Sequence, residues 1–129
     1  MTVNEIMKNA LALCGEQIGG RFFGDFTLAF VNTAICESFP AEKALCRVKN
    51  QPEPENIPKM DSANDEVPYS DEVTRGILIF LTARQIALTC DNTDLADRFT
   101  LLAERAKQSF APEANFGEVL DIYSGDDTL

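Results

Sequence analysis

Four prolines, at positions 52, 54, 58 and 68, stand in the middle of the chain and divide it. Each removes a backbone donor and fixes φ, so no continuous helix crosses residues 50–70 and a central strand is disfavoured. On both sides of this segment the apolar residues recur at helical spacing. An irregular stretch of about twenty residues is uncommon inside a compact domain unless it is functional or disordered. This one carries Ile57, Met60, Val67 and Tyr69, apolar side chains that a plain solvated linker does not need. An arm lying on a neighbouring molecule accounts for them better.

The flanking segments predict four helices. Thr2 followed by Glu5 is a capping-box signature, and Val3, Ile6, Met7, Ala10, Leu13 and Cys14 continue at helical spacing to Gly15, a left-handed stop. Glu16 to Gly24 reads as irregular, with Gly19-Gly20 as a turn. A second helix is expected from an N-cap at Asp25 to Phe39, ending before Pro40. Its apolar residues cover most of its circumference, which marks a central helix or one facing another subunit. Ala41 to Lys49 predicts a helical turn passing into a short strand. The third helix, capped by Ser70, runs from Asp71 to about Thr89 and is apolar on almost all faces from Ile77 to Ala83. Gly76 within it suggests close packing by another backbone. Arg75 and Arg84 are expected on a similar side of this helix, snorkelling at the core rim. A fourth helix begins at Thr93 or Asp94 and ends at Phe110, before Pro112, with Leu95, Phe99, Leu102, Ala103 and Ala106 on one face.

The net charge of −10 is uneven. Residues 51–72 hold seven acids and one base, and residues 111–129 hold five acids and no base, so the helical body is nearly neutral. Acid concentrated in an arm and a tail suits segments that partners grip or that stay solvated. There is no histidine, which excludes Ser-His-Asp and Cys-His nucleophiles. The four cysteines contain no C-x-x-C pair, so neither a metal site nor another cofactor site is expected, and Cys14, Cys36 and Cys90 read as small buried hydrophobes. Phosphate-cradling glycine loops are absent, and no basic cluster favours nucleic acid. No apolar run is longer than the five residues Ile77–Leu81, far short of a bilayer span, and no basic start precedes an apolar core as in a secretory signal. A cytoplasmic, non-enzymatic protein is the expectation.

One arrangement carries a family resemblance. Ile57-Pro58, Met60, Ser62, Asp65-Glu66, Val67-Pro68 and Tyr69 lead into the helix at Asp71, and the break Asp91-Asn92-Thr93-Asp94 leads into the helix ending at Phe110. This order resembles the head-to-tail adaptor (connector, neck) proteins of tailed bacteriophages. Where such proteins often carry Tyr-Gly-Leu-Ala, this chain has Phe80-Leu81-Thr82-Ala83. The resemblance implies a structural virion protein, made in the host bacterial cytoplasm and assembled into the virion neck. It would dock beneath the portal as a homo-oligomeric ring, a dodecamer by family resemblance, that extends the DNA channel and meets the next tail component. The rival reading is a small acidic helical regulator that binds a basic partner.

The fold expected is therefore all-α. It comprises a bundle of about four helices in residues 1–110, an arm at 50–70 with room for a short β-hairpin, and an extended docking tail at 111–129. Ile57, Met60, Val67 and Tyr69 of the arm, with Phe116, Val119, Leu120 and Tyr123 of the tail, are the expected partner-binding residues. The isolated subunit is free to be monomeric, and specific nucleic-acid binding and membrane association are not expected.

Overall fold

The computed structural model describes residues 1–15 and 26–110. Among them are four helices and no strand, so the chain is an all-α bundle. Helix α1 is Val3–Leu13 and α2 is Thr27–Val48. Helix α3, residues 71–89, is continuous but passes from an α-helical start (Asp71–Val73) through a π-helical turn (Thr74–Leu78) into Ile79–Thr89. Helix α4 is Thr93–Phe110. Gly19-Gly20, the Asp25 cap and the tail from residue 111 lie outside the described residues.

Helix α3 is the centre of the bundle, with α1, α2 and α4 all packed against it. Val73, Thr74, Ile77, Leu78, Leu81, Thr82, Ala83 and Ile86 are buried, which leaves little of its surface wet. The π turn lets the adjacent pairs Val73-Thr74 and Ile77-Leu78 all face inward, because a wider turn holds more residues and so turns each through a smaller angle. Thr74 supports the transition by donating its hydroxyl to the Ser70 carbonyl at 2.9 Å. Gly76 lies inside this turn.

The helix ends follow side-chain and backbone chemistry that is local. Thr2 and Glu5 form the reciprocal capping box: the Glu5 amide donates to Thr2 Oγ1 at 3.2 Å and the Thr2 amide to Glu5 Oε1 at 2.8 Å. Gly15 closes α1 with φ +76°. Asn50 (φ 56°) and Asp91 (φ 59°) take the same left-handed position after α2 and α3. At each, two amides fold back as in a Schellman motif: Gln51 to Cys46 and Asn50 to Arg47, then Asn92 to Ala87 and Asp91 to Leu88. Asn92 then caps α4, its Oδ1 accepting from the Leu95 amide at 3.2 Å. The Asp91-Asn92 break thus ends one helix and starts the next without a spacer.

Two expectations fail in the same place. Helix α2 does not stop at Phe39, and Ala41 to Lys49 contains no strand; Pro40 lies inside a helix that continues to Val48. An interior proline removes one ladder bond and costs about 3 kcal/mol. The two turns beyond it bury Glu42, Leu45 and Cys46, and the Schellman cap at Asn50 completes them. Burial of three side chains offsets the local penalty.

Candidate docking surface

The arm between α2 and α3 contains no hairpin and is draped over the helices. Its one ladder contact among the described residues is an isolated antiparallel bridge between Thr2 and Glu66. Three anchors hold it. The first is Asn32 on α2, whose side-chain amide pairs with the Met60 backbone as a strand would: Nδ2 donates to the Met60 carbonyl and Oδ1 accepts from its amide, both at 2.9 Å. The second is the N-terminus of α1, where the Val3 amide donates to the Asp65 carbonyl at 3.0 Å and the Asn4 amide to Ala63 at 2.9 Å. These are helix N–H groups with no partner inside the helix, so the arm completes α1 as much as α1 holds the arm. Asp65 Oδ2 accepts from the amides of Asp61 and Ser62, both at 3.0 Å, and so fixes the local turn.

The third anchor is Glu42 on α2, only 5% exposed. Its carboxylate accepts from the Ser70 amide at 2.9 Å, the Ser70 hydroxyl at 3.1 Å and the Cys46 thiol at 3.3 Å. Ser70 stands at the N-cap of α3 but makes no side-chain cap bond of its own. Glu42, from another helix, serves the start of α3 in its stead, and the positive end of the helix dipole favours a carboxylate there. Sequence reasoning missed Glu42. Its signal was phase: Val31, Ile35, Ser38, Glu42 and Leu45 form one stripe, and an acid in a core stripe is rare unless it is satisfied. Asn32 had no comparable signal.

The arm residues expected to bind a partner separate into two groups. Met60, Val67 and Tyr69 are at most 9% exposed and belong to the chain's own core. Tyr69 donates its hydroxyl to the Ile35 carbonyl at 3.0 Å, and burial pushes its ionisation upward. Ile57 is 48% exposed. It lines, with Pro58, Lys59, Asn32, Thr33 and Cys36, an open groove of about 380 Å³ between the arm and α2. The structure therefore brings Ile57 to the surface beside the Asn32 anchor. Phe116, Val119, Leu120 and Tyr123 lie outside the described residues.

Exposed ion pairs brace the arm at its ends. Lys49, just before it, pairs with Glu72, just after it, and the Lys49 ammonium holds the Glu72 carboxyl below its usual range. Arg47 reaches Glu53 through two bonds of 3.1 and 3.2 Å, which lowers Glu53 and raises Arg47. Such pairs in water fix geometry more than they add stability. Arg75 and Arg84 face different neighbours, contrary to expectation: Arg84 pairs with Glu37 of α2, and Arg75 lies beside α1. Even with the wider π turn between them, nine residues do not complete a whole number of turns, so the two do not share a face.

The cysteines form no disulfide with one another. Contrary to the expectation of buried thiols, Cys36 and Cys90 are exposed and Cys14 is half-buried, donating to the Ala83 carbonyl at 3.4 Å. Cys46 is the buried one; burial and the adjacent Glu42 carboxylate push its thiol up to about 11. At pH 8 a thiol reagent should modify Cys36 and Cys90 rapidly in the native protein and Cys46 only on unfolding, which mass spectrometry of timed aliquots checks.

Among the described residues no group of acids and cysteines has metal-site geometry, and no helix is long and apolar enough to cross a membrane. Comparison of the chain with protein-family models, curated proteins and solved structures finds no match.

Proposed function

We propose that this chain is a structural docking subunit of the head-to-tail adaptor kind, which assembles as a ring on a phage portal and joins it to the next tail component. The observation that carries this reading is the arm. A segment without regular structure is anchored at Asn32, at the start of α1 and at Glu42, yet holds Ile57 at the surface beside an open groove. Anchoring orders the contact residue before any partner arrives, which lowers the entropy cost of docking. Covering the exposed half of Ile57 is worth roughly 1 kcal/mol per subunit, and a ring repeats that gain at every copy. The acid at the arm and in the tail would leave DNA free to slide past, since no phosphate-neutralising cluster accompanies it.

The test uses the purified full chain mixed with a phage portal protein from the same genome. Electron microscopy and sedimentation should show the chain seated as a ring on the portal. Ile57→Asp should leave the melting temperature unchanged, because the site is half exposed, and should abolish the ring. A chain that ignores the portal but binds basic proteins with strong salt dependence would instead be the acidic regulator. An Ile57→Asp variant that still assembles would move the contact away from the arm.

A further inference from the structure

A second groove lies between α1 and α3, and the residues around it indicate what covers it. Asn9, Ala12 and Leu13 of α1 and Arg75, Ile79 and Phe80 of α3 line an open hollow of about 370 Å³. Helices α1 and α4 both pack on α3 but hardly on each other, and among the described residues the strip between them holds a buried Ile79 with only partly covered Phe80 and exposed Arg75 beside it. Leu13 at its rim is 43% exposed, a large apolar side chain in water at the end of an otherwise well-buried helix. Arg75 is exposed at its other end and forms no ion pair among the described residues. The hollow is thus apolar with one cation at its mouth.

Helix α4 runs antiparallel to α3: the Phe80 and Phe99 rings lie 6.2 Å apart, and α4 also packs on the π turn Thr74–Leu78. The chain accordingly leaves α4 at the end of the bundle where Arg75 opens the groove. Beyond α4, residues 111–129 include five acids, no base, and the apolar residues Phe116, Val119, Leu120 and Tyr123. Six residues from Phe110 to Phe116 reach up to about 20 Å when extended. The rise of α3 from Arg75 to Phe80 is only about 8 Å. Sign of charge, apolar content and reach all match.

We propose that in the isolated subunit residues 111–123 of the same chain occupy this groove, with Phe116 and Leu120 covering Leu13 and Phe80 and the tail's acids beside Arg75. The tail's apolar residues are then covered in cis until a partner displaces them. Docking in cis concerns the isolated chain, so it holds or fails independently of any portal ring.

Hydrogen exchange of the full-length protein, read by mass spectrometry at low and high protein concentration, decides it. Amides of residues 116–123 should exchange at least ~10-fold more slowly than an unstructured chain, equally at both concentrations. Arg75→Glu and Leu13→Asp change exposed positions, so melting should be retained while that protection is lost in both. Exchange at the unstructured rate in the native chain overturns the proposal. So does protection that survives both substitutions. Protection that grows with concentration also overturns it, because a second copy would then fill the groove.

Discussion

Replacing Glu42 with alanine should destabilise the bundle by about 3 kcal/mol and lower its melting temperature by roughly 12 °C. The carboxylate is buried and accepts three bonds from two directions, the Ser70 amide and hydroxyl at the head of α3 and the Cys46 thiol one turn along α2. Alanine leaves the Ser70 amide without an acceptor in a site where water enters poorly, and a stranded donor there costs more than the average bond returns. It also removes a negative charge from the N-terminus of the central helix. Glu42→Gln separates these effects. Its carbonyl can still accept from the Ser70 amide, and the Ser70 hydroxyl can rotate to accept from the new amide, so about half the loss should be recovered. Cys46→Ala should cost least, because a thiol is a weak donor. Thermal melts of the three variants check the order. A Glu42→Ala protein within about 0.5 kcal/mol of the native one would mean that Ser70 finds another acceptor and that α2 does not brace α3.

How much of this was legible in the sequence depended on the range of the interaction. The start of α1 was readable because Thr2 and Glu5 act within one turn, and the end of α3 because Asp91 and Asn92 favour left-handed and capping geometry by themselves. Helix α4 followed from its apolar stripe. The path of α2 through Pro40 was not readable, because the forces that carry it on come from Leu45, Glu42 and the arm, all settled by tertiary packing. The π turn was equally hidden, since it answers to the crowding of Val73, Thr74, Ile77 and Leu78 against three neighbours. For the docking surface, the prolines correctly marked an irregular arm with apolar residues, but composition could not say which of those residues face inward. That division was set by Asn32 and by the free amides of α1, partners 28 and about 60 residues away in the chain.

Tyr69 tests whether the arm is part of the core or merely lies on it. Tyr69→Ala should cost about 3–4 kcal/mol, the range for deleting a large buried ring. Tyr69→Phe should cost only about 0.5–1 kcal/mol, because the Ile35 carbonyl that accepts the hydroxyl also receives Ser38 Oγ at 3.3 Å and is not stranded when the phenol goes. The contrast places most of the stabilisation in burial rather than in the hydrogen bond. The two outcomes also differ in where the damage appears. If the arm belongs to the core, Tyr69→Ala lowers global melting, and amides at Val3, Asn4 and Met60, bonded to or through the arm, exchange faster together with those of α3. If the arm is an appendage, its own amides are released while the melting temperature stays put, and the core assignment of Met60, Val67 and Tyr69 falls. The first outcome has a functional corollary. Ile57 is presented at the surface because its neighbours three, ten and twelve residues on are buried, so Tyr69→Ala should weaken partner assembly at temperatures where the helices remain folded, and Tyr69→Phe should not.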